Sequence, residues 1–253
     1  MCVKHVPDTA ATIRIKADGH IDENITFIMN PYDENAVEEA VRLKKQTSDA
    51  EVIAISLGKE SAEATLRSAM AMGADRGILI KSATDHDSLS TARSLCSAIQ
   101  ADGAPDVIFT GREAIDSEGF QTMFHLGAFL GFPAVSNAVA FELSGTSVKV
   151  TCEMEAGNLE HVQMDMPCVI GAGKDLNQPS YPKLPDILKA RNKPITVLEL
   201  SDLEMELPAS RVEMVGIEPL KEERQPDNIE GTVDEIAGAM VKVLRDKAKV
   251  LDG

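Results

Sequence analysis

Short apolar runs alternate with helical patterns through the first 135 residues, and this alternation restricts the possible folds more than any other feature. The patterns predict strands at 51–57, 77–80 and 106–110, and helices at 34–45, 60–72, 88–101 and 120–130. Repeated strand–helix units predict an α/β fold with a doubly wound, mostly parallel sheet covered on both faces. Ligands of such folds bind at the carboxyl ends of the strands.

The pattern changes after residue 145. Alternating apolar residues in 148–154 and 162–166, separated by a turn at 156–158, predict an antiparallel hairpin attached to the sheet. We therefore expect residues 1–195 to form one Rossmann-like nucleotide-binding domain, with an exposed loop at 172–194. Residues 196–253, which end in an amphipathic helix, are expected to form an extended C-terminal arm that packs on a partner subunit. The alternative is a tail that folds back onto its own domain.

Composition narrows the range of partners and compartments. The chain has 253 residues and a net charge of −16, so its field repels nucleic acid and anionic membrane surfaces. It has no apolar run long enough to predict membrane insertion. The scattered cysteines predict a reducing, cytoplasmic setting and no metal site. These are Cys2, Cys96, Cys152 and Cys168.

The stretch from Gly111 to Thr122 joins a predicted strand end to a predicted helix start. Ser117, Gly119 and Thr122 would leave backbone N–H groups and hydroxyls pointing outward there, which is a physical basis for holding a phosphate. Asp116 could accept from a ribose hydroxyl, or it could simply cap the helix. The sequence leaves both interpretations open.

An enzyme is the weaker hypothesis. Asn30-Pro31 favours a turn, and Asp33 suits a helix start, so this segment taken alone is structural. The five histidines are spread along the chain, and the residues assemble no nucleophile–base constellation. We therefore expect no catalytic residues.

The segment 174–190 points instead to docking. It carries three prolines and several apolar side chains, and basic residues follow closely. An extended, proline-stiffened loop with apolar side chains suits recognition by another protein.

Taken together, the motifs resemble those of the electron transfer flavoprotein beta subunit family. Each motif is weak alone, but they occur in order along nearly the whole chain. They are VKHVPDT at 3–9, NPYDE at 30–34 with AVEEA at 36–40, AMGADR at 71–76, GREAID at 111–116 with QT at 121–122, PCVI at 167–170, and NQPSYPKLPDILKARNK at 177–193.

The resemblance implies a non-catalytic electron carrier subunit that pairs with an alpha subunit holding FAD and itself binds AMP structurally. It further implies docking of an acyl-CoA-type or other flavin dehydrogenase and delivery of electrons to a quinone oxidoreductase. Leu184 takes the position of the family's anchoring leucine, with Tyr181, Pro185 and Ile187 beside it. The implied AMP-binding residues are Cys2, Asn30, Pro31, Tyr32, Asp33, Leu57, Gly111, Arg112, Glu113, Ala114, Ile115, Asp116, Ser117, Glu118, Gly119, Phe120, Gln121 and Thr122.

Some positions depart from the family pattern. Many members have Gln at the position of Glu113, and the stretch 117–120 is unusual, with the bulk of Phe120 near the proposed phosphate. By spacing, Met154 takes the place of a hairpin glutamate that braces the FAD domain, between Glu153 and Glu155. The chain lacks the stretch typical of members with a second FAD, so AMP is favoured over a bifurcating subunit. A stand-alone nucleotide-binding enzyme of similar fold is the remaining alternative.

Overall fold

The computed structural model describes residues 1–47, 49–203, 212, 214–218 and 228–250. In this part of the chain the strands are β1 His5–Pro7, β2 Phe27–Met29, β3 Ile53–Gly58, β4 Arg76–Lys81, β5 Val107–Gly111, β6 Ala134–Ser144, β7 Ser147–Glu153, β8 Leu159–Asp165, β9 Cys168–Ala172 and β10 Ile195–Glu199. The α-helices are α1 Pro31–Gln46, α2 Glu63–Met72, α3 Ser88–Asp102, α4 Thr122–Leu130, α5 Leu184–Ala190 and α6 Val233–Asp246.

The first three residues join two halves of the central sheet. One half has the order β10-β4-β3 and is parallel; the other has the order β5-β9-β6-β7-β8 and ends in an antiparallel hairpin. The backbone N–H of Cys2 donates to Phe109 O (2.9 Å), and the N–H of Ile55 donates to Met1 O (2.9 Å). The start of the chain therefore lies between β3 and β5. The predicted α/β fold with a mostly parallel sheet is confirmed.

Several elements differ from the sequence prediction. The strands β6 and β10 were not predicted, and β10 lies beside β4, past the domain boundary predicted at residue 195. The segment 172–194 contains the helix α5 rather than a fully extended loop. Pro185 is compatible with this helix because the N–H groups of a first helical turn have no intrahelical acceptor.

The chain forms two compact units, Met1–Val215 and Gly216–Gly253. In the second unit, α6 begins with a capping box, in which Thr232 N–H donates to Glu235 (2.8 Å). The predicted arm also covers 204–211, 213, 219–227 and 251–253, which lie outside the described residues. No helix in the described part of the chain is long and apolar enough to cross a membrane.

Gly73 ends α2 at a point where that helix meets α1. Its φ is 137°, and a Cβ there would lie 2.9 Å from Val41 Cγ1. We expect Gly73→Ala to lower the free energy of unfolding by about 1–3 kcal/mol, because it adds both backbone strain and overpacking. Gly103 has a similar φ of 155° with open space around it, so Gly103→Ala is the matched control in urea unfolding. Equal losses in the two variants would show that contact with Val41 is not responsible.

Candidate functional site

The candidate site lies at the switch in strand order. Residues 1–3 have β3 on one side and β5 on the other. The two halves of the sheet therefore extend in opposite directions from this point. A crevice at the carboxyl ends of the strands is expected there. Leu57, near the end of β3, and the loop after Gly111, at the end of β5, border that edge.

A buried carboxylate fixes the base of this loop. Asp33 Oδ2 accepts from Lys4 N–H (2.7 Å), and Oδ1 accepts from Asn30 Nδ2 (3.0 Å) and Gly111 N–H (3.0 Å). Asp33 is 5% exposed. Burial raises its pKa to about 7, and the three N–H donors act in the opposite direction. One side chain thus joins the N-terminal segment, α1 and β5.

Asn30 sets the path of the loop beyond β5. Its Nδ2 also donates to Glu113 O (2.8 Å), and its Oδ1 accepts from Ile115 N–H (3.1 Å). The polar atoms of both Asn30 and Asp33 are therefore engaged within the protein. Their role in the site is to shape the loop.

The amino ends of two further helices meet the same loop. Ser88, the first residue of α3, packs closely against Gly119 of the loop: a Cβ built on Gly119 would lie 2.6 Å from Ser88 Oγ. That helix is capped by Asp87, which accepts from Ser90 N–H, whereas Gln121 makes no side-chain cap for α4. In the part of the chain that the structure describes, no backbone N–H from residue 119 to 124 has a hydrogen-bond acceptor. The start of α4 is therefore open to an anion.

Lys4 is a site residue that the sequence reasoning missed. Its Nζ lies 2.7 Å from Asp116 Oδ1 and 3.4 Å from Ser117 Oγ, so it forms an ion pair within the loop that leads to α4. Lys4 follows directly after the residues that occupy the switch point, and its contact with Asp116 spans 112 residues, so no local sequence signal identifies it.

Two left-handed residues give the loop its unusual shape. Glu118 has φ 46° and Phe120 has φ 50°, which are strained values for side chains of this size. The Phe120 ring packs edge-on against Phe124, with centroids 6.2 Å apart. The left-handed turn delays α4, which begins at Thr122 rather than at the predicted residue 120.

Arg112 and Glu113 form an ion pair at the edge of the loop. Arg112 Nη2 lies 2.7 Å from Glu113 Oε1, and the guanidinium carbon lies 4.9 Å from the centroid of the Tyr32 ring. Arg112 also donates to Asn137 Oδ1 (3.3 Å). The acidic residue at position 113 is thus paired with its neighbour, which explains how this departure from the family pattern is accommodated.

The remaining predicted site residues divide into two places. Cys2 is buried between β3 and β5, where its backbone N–H donates to Phe109 O, and burial raises the pKa of its thiol to about 11. The predicted docking residues Tyr181, Leu184 and Ile187 lie in and before α5 and are exposed. Among the described residues, no group of His, Cys, Asp and Glu side chains could hold a metal ion.

The fold and the site define a class of protein: an α/β protein with a row of free backbone N–H donors at its topological switch point. A family model described as Electron transfer flavoprotein domain matches residues 18–203. Electron transfer flavoprotein subunit beta of Bradyrhizobium diazoefficiens is 36% identical over 251 residues, which cover 98% of each chain. The subunit beta of Sus scrofa is 37% identical over 256 residues, covering 99% of this chain and 97% of the relative. The chain belongs to the electron transfer flavoprotein beta subunit family, and the resemblance found in the sequence is confirmed.

The geometry around Asp33 gives a direct test of the site's framework. In Asp33→Asn the new amide must turn a donor toward at least one of the N–H groups that the carboxylate accepts from. We expect urea unfolding at pH 7.5 to show a loss of about 1–3 kcal/mol in the free energy of unfolding. Asp85→Asn, at an exposed position, is the control. Equal stability of Asp33→Asn and the wild type would contradict the framework role.

Proposed function

We propose that this chain is the beta subunit of a heterodimeric electron transfer flavoprotein. It binds AMP as a structural ligand in the loop 111–122. It supports the FAD of an alpha subunit and docks flavin dehydrogenases through the segment 172–194. When bound, the flavin of the alpha subunit would accept and pass on electrons, and this chain's own residues would bind, orient and dock.

The observation that carries the AMP proposal is the row of free N–H groups from residue 119 to 124 at the start of α4. A phosphate offers acceptor oxygens and negative charge to these donors. Lys4 Nζ and Ser117 Oγ, 3.4 Å apart, belong to the same loop region that precedes this helix start. The residues therefore fit a nucleotide phosphate.

The close packing at Gly111 supports the same interpretation. A Cβ at this position would lie 2.8 Å from Tyr32 Cβ and closer still to Asp33 Oδ1. Only glycine lets the end of β5 approach the start of α1 this closely. We infer that Asn30 to Asp33 form the wall of the site against which the nucleotide lies.

Counting bound nucleotides tests the proposal against its rivals. The heterodimer is prepared by co-expression with an alpha subunit, denatured, and its FAD and AMP are quantified by chromatography. One FAD and one AMP per heterodimer are expected. Two FAD would indicate the bifurcating alternative, and turnover of ATP or AMP by the isolated chain would indicate a stand-alone enzyme.

Lys4→Met tests the phosphate position. Loss of a charge-assisted contact should weaken AMP binding about tenfold and lower the AMP content of the purified heterodimer, while FAD content stays at the wild-type value. Lys45→Met, at an exposed lysine near the other end of α1, is the matched control. Unchanged AMP binding in Lys4→Met would remove Lys4 from the site.

Exposed apolar side chains support the docking role. Tyr181 is 96% exposed and Leu184 is 68% exposed, and both lie outside the core. Such side chains supply contact energy when a partner buries them. An acyl-CoA-type dehydrogenase is the proposed electron donor, and a quinone oxidoreductase is the proposed acceptor. The second unit, 216–253, is proposed to pack on the alpha subunit.

Leu184→Ala tests the docking anchor. We expect the KM for a reduced acyl-CoA dehydrogenase to rise about tenfold, because the variant loses an apolar contact in a partner pocket. FAD and AMP contents should not change. Val197→Ala, at an exposed apolar position on β10, controls for general loss of apolar surface. Wild-type transfer kinetics in Leu184→Ala would contradict the anchor assignment.

A further inference from the structure

Both ends of the segment 172–194 are fastened to helices of the domain, while its centre is exposed. We propose that α1 and α2 act as two clamps that hold this segment in a fixed shape, so that its apolar side chains are already positioned for a partner. Asn35, Asn177, Arg67 and Lys193 are then positioning residues for docking. The inference rests on the docking role proposed above for the segment.

The first clamp is a reciprocal amide pair between α1 and the start of the segment. Asn35 Nδ2 donates to Asn177 O (2.8 Å) and to Lys174 O (3.2 Å). In return, Asn177 Nδ2 donates to Asn35 O (3.0 Å) and to Glu39 Oε2 (2.9 Å). Asn35 is buried, so these bonds are shielded from competition with water. The segment therefore leaves the sheet at a fixed position on α1.

A buried carboxylate extends this clamp by one helical turn. Glu38 Oε2 accepts from Ser180 N–H (2.9 Å), while Glu38 Oε1 accepts from Arg42 Nε (3.1 Å). Because Glu38 is 5% exposed, losing the Ser180 bond would leave a buried charge with fewer donors. The backbone is thus held as far as the residue before Tyr181.

The second clamp joins α2 to the end of the segment through crossed cation–carbonyl bonds. Arg67 Nη1 donates to Ala190 O (3.0 Å) and Lys193 O (2.6 Å). Lys193 Nζ donates to Met70 O (3.0 Å) and Ala74 O (2.6 Å). These carbonyls lie in the last turn of α5 or α2 or just after it. Carbonyl groups at the end of a helix have no N–H donor within the helix, and they attract cations. Arg67 of α2 therefore supplies donors at the end of α5, and Lys193, which follows α5, supplies donors at the end of α2.

The exposed centre lies between the two clamps. Leu184, Ile187 and Leu188 on α5 are 68%, 41% and 49% exposed, so they contribute little to the domain's own core. A segment ordered before binding loses less conformational freedom when a partner arrives. Fixed ends with exposed apolar side chains between them are thus suited to recognition, and the clamps should lower the cost of docking.

Hydrogen exchange in the heterodimer tests the clamps without a dehydrogenase. The amides of Asp186 and Ile187 donate to Lys183 O at 2.9 and 3.1 Å in the first turn of α5, so they report on its order. We expect exchange at these amides to be about tenfold faster in Asn177→Ala and in Arg67→Ala than in the wild type. Gln178→Ala, an exposed neighbouring amide, is the matched control. Wild-type exchange in both clamp variants would overturn the proposal.

Transfer kinetics then separate positioning from contact. With a purified acyl-CoA dehydrogenase reduced by its acyl-CoA as the probe, Asn177→Ala should raise the KM about fivefold and leave kcat within about twofold. Faster exchange with an unchanged KM, or an equal fall in kcat, would overturn the positioning role. If Leu184→Ala has no effect on transfer, the docking role itself fails, whereas the exchange rates still decide whether the clamps order the segment.

Discussion

The buried carboxylate of Asp33 is the interaction on which the candidate site depends. It collects N–H donors from Lys4, Asn30 and Gly111, which belong to three separate parts of the chain. A buried charge is tolerated only when such donors surround it. The carboxylate can be buried only if the three segments bring their donors together, and the carboxylate in turn holds these segments together. Asp33 fixes the end of β5 at Gly111, and its partner Asn30 then sets the path of the loop beyond it.

Helix α1 connects this framework to the docking segment. Its first turn carries Asp33, and the following turns carry Asn35 and Glu38, which hold the segment 172–194. The two proposed sites therefore share one rigid element. A shift of α1 would therefore displace both the loop beyond β5 and the segment 172–194.

The sequence predicted those features that rest on local periodicity or on motifs. The strands β3 to β5, the helices α1 to α3 and the hairpin all show their patterns within a few residues of one another. The strand β10 was missed because its residues gain their place only by pairing with β4, far away in sequence. Lys4 and the clamps were missed for the same reason: Asn35 and Asn177 are 142 residues apart, and only the fold brings their amides together. Bulky residues such as Phe120 rarely adopt a positive φ, so the sequence gives no sign of the left-handed turn, and the predicted start of α4 is too early.

The proposed phosphate site must work against the charge of the whole chain. A net charge of −16 repels a nucleotide at long range. At physiological ionic strength, however, charges beyond roughly 8 Å are largely screened. The proposed site offers local donors: among the described residues, the backbone N–H groups at the start of α4 have no acceptor from residue 119 to 124, and Lys4 Nζ contacts Asp116 and Ser117 of the same loop. Local donors therefore decide affinity, while the overall charge mainly slows the approach. An acidic chain could thus hold an anionic ligand at the proposed site without a large basic patch.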